Sequence, residues 1–194
     1  MSDRLGRQLA FLAEADRLKS VLRANTLCDA SRRENSGEHS WHVALYALVL
    51  ADQAQPEVRI ERVLQMLLIH DLVEIDCGDT PIHGSHDAAS VAEAESAAAD
   101  RLFGLLPEDQ ARTLRALWDE FEEGVSPDAI FARSIDRVQP VMQNLESGGG
   151  TWRDFGVSSE QLDARVGVKI ARGAPRLWDH VRALTRRYFD APAG

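Results

Sequence analysis

The chain has 194 residues, 44% hydrophobic and 27% charged, so it can bury a sizeable core and falls outside the disordered and fibrous classes. Its 22 basic and 31 acidic residues leave a formal net charge of −9, which excludes a nucleic-acid polymer as the expected partner because most of the surface would repel it. Two thiols outside any CxxC spacing, Cys28 and Cys77, an N-terminus without an apolar signal core and no bilayer-length apolar run together predict a soluble cytoplasmic protein.

Apolar residues recur at helical spacing, and β-branched and aromatic residues never gather into the alternating runs of a strand, so the sequence predicts an all-α fold. A first helix is expected over Arg4 to Ala24 and a polar loop over Asn25 to Asn35. A second helix, Glu38 to Gln53, is expected to turn Trp41, Leu45, Leu48 and Val49 inward. Pro56-Glu57 opens a third, running to His70-Asp71 and toward Glu74. The segment Asp76 to Asp87 reads as turns, with Gly78, Pro81 and Gly84 ending regular structure. Further helices are expected over Ala88 to Leu106, from Pro107-Glu108 to Glu122, from Pro127-Asp128 onward through Met142, over Ser159 to Ala171 and over Pro175 to Tyr188. Gly148-Gly149-Gly150 is the clearest loop. No repeat or linker divides the chain, and one domain over 1–194 is expected.

The residues richest in chemistry are His70 and Asp71, adjacent at the end of the apolar run Val63 to Ile69. An imidazole beside a carboxylate where a buried helix ends suits metal binding better than a core. His39 alone reads as a polar residue at a helix start, and Asp136 alone as a partner of Arg133 or Arg137. Metal ligation explains all four with one cause: two His and two Asp make a mixed donor set for a divalent ion, Mn, Co, Fe, Zn or Mg, with positions left for water and substrate.

The order His39, then His70-Asp71, then Asp136 resembles the HD-domain metal-dependent phosphohydrolases. The surroundings, Arg32-Arg33-Glu34-Asn35-Ser36-Gly37-Glu38-His39-Ser40-Trp41-His42, Ile69-His70-Asp71-Leu72-Val73-Glu74 and Gly78-Asp79-Thr80, resemble the 5′-deoxynucleotidase branch. The likeness implies a helical HD fold with a metal-binding core at about 18–145 and a C-terminal helical cap at 151–190. It assigns metal binding to His39, His70, Asp71 and Asp136, points to Glu74 and Asp79 as catalytic residues, and implies a homodimer. Glu74 is one turn beyond the doublet and could orient water and move its proton, whereas Asp79 could serve the leaving oxygen or the sugar. An Arg-Trp pair precedes the first His in that branch; here Arg23 is followed by Ala24.

Phosphomonoester cleavage calls for a divalent ion to activate water and for cations against the equatorial oxygens. Arg23, Arg32 and Arg33 precede His39 and are candidates, with a solvated basic loop as the alternative for each. Trp152, after the triple glycine, could close over a base as a lid. His42, three residues after His39, competes as a ligand; His83 and His86 could hold a second metal; Cys77 could ligate or simply pack. The function expected is hydrolysis of a nucleoside 5′-monophosphate. The alternatives are cleavage of a cyclic nucleotide, alarmone or nucleoside triphosphate, and a non-catalytic nucleotide- or metal-binding module.

Overall fold

Apolar stripes at helical spacing bring the helices together around three contiguous buried clusters among the described residues. The structure, a computed structural model, describes residues 4–191. Helix α1 (Arg4–Ala15) runs into a 3₁₀ turn, Asp16–Ser20. The chain then becomes extended: β1 (Leu22–Thr26) pairs antiparallel with β2 (Arg33–Asn35), Leu22 opposite Asn35 and Thr26 opposite Arg33. The first helix therefore stops well short of Ala24, and the expected loop holds a strand. The cause is tertiary. The Arg23 side chain reaches Asp71 at 2.7 Å, and the Ala24 N–H donates to Asp79 Oδ2 at 3.2 Å.

Helix α2 (Ser36–Val49) opens two residues before the expected Glu38, because Asn35 and Glu38 form a reciprocal capping box. Its buried face is Ser36, His39, Ser40, Val43 and Ala47. Trp41, Leu45, Leu48 and Val49 face outward instead of inward, 63%, 40%, 58% and 69% exposed. Small and polar residues take the inner face because that face must seat an imidazole against a neighbouring helix.

Helix α3 (Ile60–Ile69) starts later than Pro56, where the Asp128 carboxylate accepts the Arg59 N–H at 2.7 Å and the Arg59 guanidinium at 2.6 and 2.9 Å. A capping acid from a distant helix thus sets the boundary. A tight turn, His70–Val73, leads into α4 (Glu74–Cys77). Beyond the turns, Asp87 caps α5 (Ala88–Phe103), and α6 (Glu108–Glu123) ends at the left-handed Gly124.

Helix α7 (Pro127–Glu146), capped by Ser126, is buried along most of its length and packs against α2 and α3. The C-terminal part comprises α8 (Gly150–Asp154), α9 (Ser159–Leu162), a π-helical turn at Asp163–Gly167, α10 (Val168–Gly173) and α11 (Pro175–Asp190). Helix α10 lies closely along α7: a Cβ at Gly173 would stand 2.7 Å from the Ile130 carbonyl oxygen. Among the described residues no helix is long and apolar enough to cross a membrane.

Candidate active site

Helices α2, α3 and α7 aim two imidazoles and two carboxylates at one point. His39 is fully buried on α2, His70 and Asp71 sit where α3 ends, and Asp136 lies on α7. His70 Nδ1 donates to the Leu67 carbonyl at 2.9 Å. Gln139 donates its Nε2 to Glu34 Oε1 at 2.9 Å, so its Oε1 accepts from His39 Nδ1 at 3.0 Å. Both rings thereby carry their proton on Nδ1 and turn an Nε2 lone pair inward. His39 Nε2 meets Asp136 Oδ1 at 3.0 Å, and His70 Nε2 lies 3.5 Å from Asp136 Oδ1 and 3.1 Å from Asp71 Oδ1.

Lone pairs set against carboxylates repel unless a cation lies between them. His70 Nε2 is buried with no hydrogen-bond partner, and the donors of His39, His70 and Asp136 lie within 4.8 Å of one another. That arrangement fits a divalent ion with nitrogen and oxygen ligands. Asp71 is shared: its Oδ2 is 3.8 Å from His39 Nε2 but 2.7 Å from Arg23 Nη1.

The same preference for positive charge acts on protons. Burial works against a charged His70, yet Asp71 and then Asp136 push it up to about 9. Burial also opposes ionisation of Asp136, but Arg137, His39 and His70 hold its carboxyl well below the usual range. Glu74 moves the other way. Burial and the adjacent charge of Asp71 push it up to about 9, against the pull of Arg23. Its Oε2 accepts a hydrogen bond from Ser36, and its Oε1 lies 3.5 Å from Arg23 Nη1.

His70, Asp71 and Asp136 line the floor of a cleft of about 580 Å³, with His39 buried beneath them, and Arg23, Glu74, Asp79, Arg137, Arg165 and Lys169 line the same cleft. A narrower pocket of about 60 Å³ opens beside it, lined by Asn25, Ile82, Trp152 and Phe155 and sharing Arg23, Asp79 and Arg137 with the cleft.

The model of the HD domain family matches residues 15–178. The chain belongs to the HD-domain family. This HD-domain protein is similar to 5′-deoxynucleotidase HDDC2 of Bos taurus, 30% identical over 162 residues, which span 80% of this chain and 78% of the relative. It is 26% identical over 167 residues to 5′-deoxynucleotidase yfbR of Photorhabdus temperata, covering 82% and 84% of the two chains. The crystal structure of a predicted metal-dependent phosphohydrolase from Magnetospirillum magnetotacticum MS-1 superposes with a TM-score of 0.90 at 49% identity, covering 95% of this chain and 92% of that one.

Within the HD-domain site, the structure brings together His39, His70, Asp71, Asp136, Glu74, Asp79 and Arg23. It leaves other candidates outside. Arg32 is ion-paired with Glu38 on the surface, and the exposed Arg33 lines neither cavity. His42 accepts from Gln139 and packs on Trp41 and Tyr46, away from the cluster. His86 faces the cleft and His83 the narrow pocket, and neither joins the group of convergent donors. Cys77 bonds to the Val73 carbonyl, and burial pushes its thiol up to about 11. Trp152 is 2% exposed, packs against Tyr188 and Phe189, and forms part of the wall of the narrow pocket.

Sequence reasoning missed Glu34, Gln139 and Gln143, which are buried behind His39. Glu34 Oε1 accepts from both amides, at 2.9 and 2.8 Å. Gln139 was legible in part, because it follows Asp136 by three residues and so shares its face of α7. The cleft cations Arg165 and Lys169 were also missed, since nothing local separates them from solvated charges on a helix.

Proposed function

We propose that this HD-domain protein is a phosphomonoesterase that removes phosphate from nucleoside 5′-monophosphates, with ribose or deoxyribose sugars. It is an HD-type hydrolase dependent on a divalent metal. His39, His70, Asp71 and Asp136 are the ligands in this reading, and Mn, Co, Fe, Zn or Mg the candidate ions. The observation that carries it is the convergence of two Nε2 lone pairs and two carboxylates at the base of a cleft whose lining includes Arg23, Arg137, Arg165 and Lys169. The 5′-deoxynucleotidases among the relatives support the nucleotide.

A bound divalent ion supplies a Lewis acid that activates water and draws charge from phosphoryl oxygens. The chain's own residues do the rest. Arg23 is fixed between Asp71, Glu74 and Asp79 and offers its guanidinium edge to the phosphate. Glu74 holds a proton at neutral pH next to Asp71 and is the group assigned to proton transfer. Asp79, on the border between cleft and pocket, is assigned to the leaving 5′-oxygen or the sugar, and Trp152 to the wall against which the nucleoside packs.

The same reading includes a homodimer, supported by the exposed apolar stripe on α2, and a cytoplasmic location, supported by the two unpaired thiols. It also keeps one domain, in which the C-terminal cap at 151–190 completes the cleft.

The test is phosphate release by chelator-stripped protein after re-addition of each ion, on nucleoside 5′-monophosphates, cyclic nucleotides and triphosphates. Metal-dependent turnover confined to monophosphates is the expected outcome. Turnover of diesters or triphosphates alone would overturn the substrate and leave the metal site standing.

A further inference from the structure

One side of the cleft gathers basic side chains that do not contact the proposed metal site directly, apart from Arg137 beside Asp136. Arg137 from α7, Arg165 from the π-helical turn and Lys169 from α10 all line it. Among the described residues neither Arg165 nor Lys169 has an ion-pair partner, and Arg137 has only Asp136, with Nε 3.6 Å from Oδ2. Arg137 Nε is moreover buried without a hydrogen-bond partner. Acids line the cleft as well: Asp71 and Asp136 belong to the proposed metal site, Glu74 and Asp79 flank Arg23, Glu122 is tied to Arg133 at 3.2 Å, and burial pushes the Glu95 carboxyl up.

Arg165 and Lys169, neither of them ion-paired among the described residues, add positive charge beside Arg137 that an incoming anion would join favourably. Lys169 is pushed down by burial and then by Arg137 and Arg133, and His83 by burial and then by Arg165 and Arg137. On a chain of net charge −9, such a wall focuses potential on an incoming anion. Arg165 and Lys169 stand four residues apart across the π turn, an irregularity that recurs at functional sites.

We propose that Arg137, Arg165 and Lys169 form an anion subsite for the non-bridging oxygens of a phosphate monoester and select the dianionic monoester over monoanionic diesters. The selection is electrostatic. A diester carries one charge less, so a wall of cations favours it less. This rests on the reading of the cleft as a phosphohydrolase site and adds the class of phosphoryl group that it accepts.

The experiment measures binding of inorganic phosphate and of dimethyl phosphate to the metal-loaded protein by calorimetry, for the wild type, Arg165→Gln/Lys169→Gln and Lys169→Arg. Arg112→Gln, on the exposed face of α6, is the control for loss of a positive charge outside the cleft. In the double variant, phosphate affinity should fall about tenfold or more, equivalent to about 1.4 kcal/mol, and dimethyl phosphate affinity by less than about threefold. Lys169→Arg and Arg112→Gln should bind as wild type, and the affinity for Mn should be unchanged throughout. Unchanged phosphate binding in the double variant, or equal loss for both ligands, would overturn the proposal. If the wild type failed to hydrolyse any nucleotide while phosphate binding still depended on these residues, the subsite would stand and the nucleotidase reading would fall.

Discussion

In the proposed metal site, His39 needs a group behind it that fixes its proton. The Gln139 carbonyl does so at 3.0 Å, and Gln139 is itself oriented by donating to the buried Glu34. Gln139→Met removes that acceptor at nearly constant volume. Affinity for Mn or Co, read by calorimetric titration, should drop by about 10- to 100-fold, whereas wild-type affinity would show that the tautomer is set elsewhere. Glu74 gives a prediction in pH. Its carboxyl sits near 4.5 when unfolded and is pushed up to about 9 when folded. Between those values folding must take up a proton, so this group's contribution grows more unfavourable as pH rises from about 4.5 to about 9. In metal-stripped protein, Glu74→Gln should therefore raise Tm, more at pH 8 than at pH 5. A gain that did not depend on pH would contradict the assignment. At this scale the sequence made His70, Asp71 and Asp136 conspicuous, because charged groups inside apolar runs need a reason to be there. It hid Glu34, whose neighbours Arg33 and Asn35 are as polar as a surface would be.

Among the elements, α7 and α10 decide how the C-terminal part meets the floor of the cleft. Their close approach depends on Gly173, since an added Cβ would meet the Ile130 carbonyl and the Ser134 hydroxyl. Gly173→Ala should destabilise the protein by about 1–3 kcal/mol through overpacking, measured by urea unfolding. It should also loosen the cleft rim that carries Arg165 and Lys169. A stability within about 0.5 kcal/mol of wild type, the usual range for surface substitutions, would mean that the helices can slide apart freely. Helix ends were legible where the signal was local: Ser126-Pro127 and Asp87 start helices where capping chemistry says they should. They were illegible where a distant group intervened. Asp128 caps α3 from α7, and Arg23 draws its segment into a strand by reaching for Asp71 across 48 positions of sequence.

For the molecule as a whole, the outward stripe Trp41, Leu45, Leu48 and Val49 on α2 is where a second copy would bury apolar surface. Trp41→Glu should convert a homodimer to monomer in sedimentation experiments without disturbing the core, because Trp41 is 63% exposed. A wild type already monomeric at micromolar concentration would remove the dimer from the reading. The helical class, the placing of most helices and the His-Asp doublet followed from the sequence alone, since periodicity, caps and buried charge are written in neighbouring residues. The side of α2 that faces inward, the strand at Arg23, the buried place of Trp152 and the gathering of Arg137, Arg165 and Lys169 at the cleft were decided by tertiary structure. Each depends on pairing between groups far apart in the chain, and local spacing carries no record of the partner.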